Sequence, residues 1–118
     1  FEEKIIDWIE RYGKFALEVV LYALNSQEID NNQASNLLSI IGDINSYLTY
    51  SSRIWLLEYF LNHKSPKIRY GAVIGLSNLD SITSINKLEE ILIKEDNIIV
   101  KNAINIVLKQ LNNAKNEI

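Results

Sequence analysis

The chain lacks cysteine altogether, and its 118 residues include one histidine, one proline and four glycines. Without cysteine there is neither a disulfide framework nor a thiolate metal site, so stability has to come from packing, and a reducing cytoplasm is the simplest home. The single histidine, His63, also removes the usual zinc, iron and copper sites, which draw on two or more Cys or His ligands. No cofactor is implied. No apolar run reaches the roughly 18 residues of a membrane span, and the most apolar stretch, Phe15 to Leu24, is broken by Glu18. The glycines at 13, 42, 71 and 75 are too scattered for a phosphate-cradling loop; Gly71 and Gly75 fall inside a helical pattern, where they suit close helix approach. The chain begins at Phe1 rather than Met, so a cytoplasmic location is inferred from composition and not read from a signal.

What is present is apolar and patterned. With 47% apolar residues, the chain is long enough for one domain with a real core, 1–118, and too short to hold two comfortably. The net charge of −3 is unevenly spread. Residues 1–50 carry three Lys/Arg against eight Asp/Glu, whereas 51–70 carry Arg53, Lys64, Lys67 and Arg69 against Glu58 alone. An acidic first half opposes unspecific attraction to phosphate backbones and fits a basic protein partner.

β-Branched residues fall at helical rather than alternating spacing, so the chain reads as seven helices joined by short turns. The first, near 2–11, has Ile5, Ile6 and Ile9 on one side and stops at Gly13; the second, near 14–25, carries Phe15, Val19 and Ala23 beside Val20, Leu21 and Leu24. Asp30 or Asn31 can cap the third, with its stripe Ala34, Leu37, Leu38, Ile41, Ile44. Ser51 or Ser52 can cap the fourth, whose inner stripe is Leu56, Leu57, Phe60 and Leu61. Ser65-Pro66, a capping serine followed by proline at the first helical position, opens the fifth. Asp80-Ser81 ends it and caps the sixth, and Asp96 or Asn97 opens the seventh, which carries Val100, Ala103, Ile104, Val107 and Leu111; Asn112 to Ile118 are polar enough to fray.

Sliding the chain over itself by 32 residues lays Leu56-Leu-Glu-Tyr-Phe-Leu on Leu88-Glu-Glu-Ile-Leu-Ile, then Gly71 on Ala103, Leu76 on Leu108 and Leu79 on Leu111. A fixed period of that size with two helices per unit is the sequence form of an α-solenoid, in which stacked hairpins bury the faces that one hairpin cannot. The segment Ser65-Pro-Lys-Ile-Arg-Tyr-Gly-Ala-Val-Ile-Gly-Leu resembles the start of the second helix of a HEAT repeat, and Asn97-Ile-Ile-Val-Lys-Asn-Ala is similar. The resemblance covers about 51–111 and extends more loosely over 13–44. It implies an all-α fold, a short right-handed α-solenoid of about three HEAT-like hairpins plus an N-terminal helix. It also implies that Pro66 is structural and that Arg69 ties successive units through an acidic residue in a neighbouring turn, with Asp96 or Asp80 as candidates.

No residue set suggests catalysis. Glu89, Glu90, Glu95 and Asp96 cluster around the sixth helix, but adjacent glutamates point about 100° apart and read as a solvated face. His63 has no serine, aspartate or second histidine arranged around it. A HEAT-like DNA glycosylase would need a basic concave channel, against which the acidic first half and small size count. Binding residues are better represented. Tyr47, Tyr50, Trp55 and Tyr59 accompany a helix whose inner stripe is already filled, and Trp and Tyr are favoured interface anchors. If the second helices of the hairpins line one concave side, subtracting buried positions leaves Gln33, Asn36, Ile40 and Asp43, then Lys67, Tyr70, Ile74 and Asn78, then Asn102, Ile106 and Lys109. One outward isoleucine per helix among amides and charges is the composition of a protein-binding groove.

The expectation is a non-catalytic protein-binding module whose partner is another protein, for instance a basic toxin domain neutralised by an immunity protein or antitoxin. Its Asn, Ile and Lys richness suggests an A/T-rich bacterial genome. A scaffold or chaperone-like subunit, similar to phycobilin lyase repeats, and a nucleic-acid binder using Arg53, Lys64, Lys67 and Arg69 are the alternatives, with nucleic acid disfavoured by charge.

Overall fold

The apolar stripes become seven α-helices: α1 (Glu2–Tyr12), α2 (Lys14–Asn25), α3 (Asn31–Asp43), α4 (Tyr50–Phe60), α5 (Pro66–Asn78), α6 (Ile85–Lys94) and α7 (Ile98–Asn116). They are seen in a computed structural model that describes residues 2–117, among which there is no strand. Gly13, at φ +58°, makes the one-residue reversal between α1 and α2. The Asp30 carboxylate caps α3 by accepting from the Gln33 amide at 2.8 Å, and Asn97 caps α7 by accepting from Ile99 and Val100. Pro66 takes the first position of α5, where its missing N–H leaves nothing unpaired.

Three local expectations change. Neither Ser51 nor Ser52 caps α4, which already begins at Tyr50 behind a single 3-10 turn, Tyr47–Thr49. Likewise Asp80-Ser81 does not cap α6, because a second 3-10 turn, Ile82–Ser84, intervenes. The hydroxyl residue just before each helix, Thr49 or Ser84, is buried and spends its side chain on a charged neighbour instead: Thr49 accepts from Arg53 and Ser84 donates to Glu58. At the other end, α7 runs on to Asn116 rather than fraying from Asn112. Leu111, fully buried, holds that last stretch down.

α5 is the hub. It packs against α3, α4 and α7, with α3·α5 the most extensive contact; α6 packs on α7, α2 on α4, and α1 on both α2 and α3. Extents of 33 × 33 × 19 Å leave a thickness of about two helix diameters, so the helices form two layers over one apolar core. That core joins Ile9, Val20, Leu38, Ile41, Leu57, Phe60, Leu76, Leu88, Ile104 and Leu111, all 4% exposed or less.

The α3·α5 contact is made by glycine. A Cβ on Gly71 would stand 2.5 Å from the Ser35 carbonyl oxygen, one on Gly75 would stand 2.6 Å from that of Leu38, and one on Gly42 would overlap the Gly75 backbone. Real side chains cannot approach backbone so closely, so the missing methyls let the two helices touch main chain to main chain. α2 departs from its expected face: Ala16, Leu17, Val20 and Leu24 are buried, whereas Phe15 and Val19 point to solvent.

Candidate protein-binding surfaces

Two arginines fix the turns from which any surface is built. Arg69, on the first turn of α5, donates Nε and Nη2 to the two Glu95 carboxylate oxygens at 2.8 and 2.7 Å, and Nη1 to the His63 and Lys64 carbonyls. It thereby joins the α4–α5 turn to the α6–α7 turn. Its partner is not Asp96 or Asp80: Asp96 is exposed, and Asp80 accepts from Gln110. Glu95 takes the place because it leaves the end of α6 with its side chain turned inward, where it also accepts from the Asn97 amide. Burial pushes the Glu95 carboxyl up, but Arg69 and the Asn97 amide together hold it below its ordinary value.

Arg53, on α4, is buried without a carboxylate. Its Nη1 donates to the Ile41 carbonyl at 2.9 Å, Nη2 to the Ser46 carbonyl at 2.6 Å and Nε to Thr49 Oγ1 at 2.9 Å. Ile41 lies in the last turn of α3, so the guanidinium satisfies a helix-end carbonyl at the negative end of the dipole. Burial lowers the Arg53 pKa, opposed by Tyr50 and Glu10. His63 accepts from the Ser65 amide through Nδ1, and burial, with the Lys64 and Arg69 charges nearby, holds its imidazole below the ordinary 6.5. Arg53 and Arg69 are therefore structural, and of the four bases considered for nucleic acid only Lys64 and Lys67 are free at the surface.

On the face formed by α3, α5 and α7, a groove of about 540 Å³ crosses all three helices near their N-terminal ends. Asn36 and Ser35 of α3, Lys67 and Tyr70 of α5, and Ile99 of α7 are among its lining residues. Gln33, Asn102, Ile106 and Lys109 are also exposed but do not line it. Asp43 and Asn78 line a second hollow of about 380 Å³ with Tyr47 and Tyr50, at the other end of α3 and α5. The isoleucine row is broken. Ile40 is only 6% exposed and Ile74 is half-buried, leaving Ile106 as the one outward isoleucine of the three. Ile40 lies about 160° around the helix from Gly42, away from α5, but α3 also packs against α1 and α4, so more than its α5 flank is covered.

On the opposite face the exposed Trp55 and Tyr59 were among the aromatics expected at the surface, whereas the outward residues of α2 were not anticipated. Phe15, Val19 and Tyr22 of α2 and Trp55 and Tyr59 of α4 are exposed, and Trp55 stacks on Tyr59 at 5.6 Å between ring centroids. Between the two helices runs an apolar groove of about 290 Å³ with Leu17, Leu21, Trp55 and Leu56 in its walls. The usable signal was quantitative: α2 has more apolar residues than one buried stripe can hold, and the surplus had to face water. No cluster of three or more His, Cys, Asp or Glu side chains with metal-binding geometry occurs among the described residues, and no helix there is long and apolar enough to cross a membrane. Comparison with family models, curated proteins and solved structures gave no match to this chain.

Proposed function

We propose that the chain is a non-catalytic protein-binding module, a short right-handed stack of about three HEAT-like hairpins preceded by α1, and that it acts as a cytoplasmic immunity protein or antitoxin against a basic partner. The observation that carries the reading is the 540 Å³ groove walled by α3, α5 and α7, helices separated in sequence but adjacent in space. Amides, one lysine, one tyrosine and one isoleucine in a shared hollow offer adaptable hydrogen bonding around an aromatic anchor, the make-up of a recognition surface. The acidic residues of the first half, none of which forms a salt bridge among the described residues, favour fast capture of a cationic partner. A scaffold subunit would use the same groove. A nucleic-acid reading is weaker, because Arg53 and Arg69 are spent on internal bonds.

The test is coexpression with the product of the adjacent gene. The reading expects protection from that product's toxicity and a measurable complex, with Tyr70→Ala and Asn36→Lys, the second setting a like charge against a basic partner, weakening it at least tenfold while the thermal midpoint stays within about 2 °C, as for surface changes generally. Full affinity in both variants would remove the groove; the absence of any complex would remove the immunity reading. Ile74 is unsuitable for such a test, because a charge at a half-buried site perturbs the fold itself.

A further inference from the structure

The face opposite the groove carries the largest concentration of exposed aromatics among the described residues. On α2, Phe15, Glu18, Val19 and Tyr22 recur at steps of three and four and form one stripe, with Phe15 69% and Tyr22 70% exposed. Glu18 and Lys14 continue the stripe into the apolar groove, whose far wall includes Trp55, 58% exposed. Aromatic side chains bring about 150–250 Å² each. At the observed exposures, Phe15, Val19, Tyr22, Trp55 and Tyr59 leave on the order of 500 Å² of apolar surface in water. That is as large as the largest such patch on a typical monomer, and patches of this size cover an interaction site.

We propose that this face is covered by a second copy of the same chain, in a two-fold dimer built on α2 and α4. Three observations select this occupant. The first is area: a stable interface takes about 800 Å² from each partner, of which about 60% is apolar, and the exposed aromatics here supply that apolar share. The second is charge. The groove walls carry one cation and one anion, Lys14 and Glu18, one helical turn apart, so this face is neutral within a first half of net −5. It offers nothing to a strongly basic partner, and its neutrality sets no net repulsion between two copies. The third is symmetry: Phe15 and Tyr22 stand about 10 Å apart along one face of α2. An antiparallel crossing of α2 with its copy, centred between Glu18 and Val19, sets each Phe15 ring against the other copy's Tyr22. The dimer leaves the α3/α5/α7 groove free, so it stands or falls independently of the proposed function.

Sedimentation equilibrium of the full chain over a wide concentration range tests this directly. A concentration-dependent dimer is expected, together with a blue shift of tryptophan emission as Trp55 leaves water. Phe15→Asp and Tyr22→Asp, both at outward positions, should raise the dissociation constant at least tenfold while keeping the helical far-ultraviolet spectrum. Ile106→Asp, on the other face, should change nothing. A monomer mass at the highest soluble concentration would overturn the proposal and hand the face to a different occupant. So would a dimer that withstands both aspartates, since it would be using another surface.

Discussion

Arg53 and Arg69 are the same side chain put to two uses. Arg69 answers a carboxylate: Glu95 meets it with two short bonds, and the pair keeps partial contact with solvent. Arg53 is nearly excluded from water and answers only neutral oxygens, two carbonyls and a hydroxyl. A buried charge without a counter-ion is ordinarily costly. Here the cost is offset because the chain leaves α3 through residues 44–46, where backbone carbonyls have no amide partners of their own, and a forked cation satisfies several at once. Arg53 thus secures the connection from α3 to α4, while Arg69 joins two parallel turns further along. The first is a closed lock with no spare acceptor, the second an open pair that titrates.

The sharpest way to break the comparison is Arg53→Met, which keeps most of the apolar stem and removes every donor. It strands the Ile41 and Ser46 carbonyls in a dry site and should cost about 3 kcal/mol, lowering the thermal midpoint by on the order of 10 °C. A loss no larger than that of an ordinary surface variant would mean the connection does not need its lock. Glu95→Gln comes next. At neutral pH it should cost about 2 kcal/mol, because two charge-assisted bonds are replaced by one neutral acceptor.

The pH dependence separates the two sites further. Glu95 titrates below its ordinary 4.5 in the fold, so the unfolded chain binds the proton first; the stabilisation is whole above 4.5 and is lost as pH falls through the folded value. The gap between wild type and Glu95→Gln should therefore close in acid, whereas the Arg53→Met deficit should persist. Chemical denaturation from pH 7 to pH 3 reads both. The smallest expected effect belongs to His63. Its folded value lies below 6.5, so its contribution is complete above 6.5 and declines as pH falls from there. Between pH 7 and pH 5.5 the midpoint of the wild type should drop more than that of His63→Asn, by calorimetry.

Much of the fold was legible because it rests on period and punctuation. Seven helices, the Pro66 start, the Asp30 cap and the small residues of α5 follow from spacing and from what serine, proline and glycine do to a backbone. The Arg69 partner was missed by one residue, since a turn of three residues, 95–97, allows either acid to face inward, and only the capping role of Asn97 decides which. Arg53 was read as a surface base; nothing in a local pattern says that the preceding helix will end with free carbonyls beside it. Ile40 and Phe15 were exchanged between surface and core for a related reason. Which flank of a helix is covered depends on neighbours distant in sequence, and helical angle alone cannot rank two apolar flanks.

All of the functional reading depends on α3, α5 and α7 lying side by side and presenting one face. The natural absence of cysteine permits a clean measurement: spin labels at Asn36→Cys on α3 and Asn102→Cys on α7, both exposed, with the distance read by pulsed electron resonance. Two interhelical spacings predict a single narrow distribution near 20 Å between the backbones, unchanged by dilution. A distance near 10 Å, which puts α3 directly against α7, or a broad distribution would contradict the shared face and with it the groove.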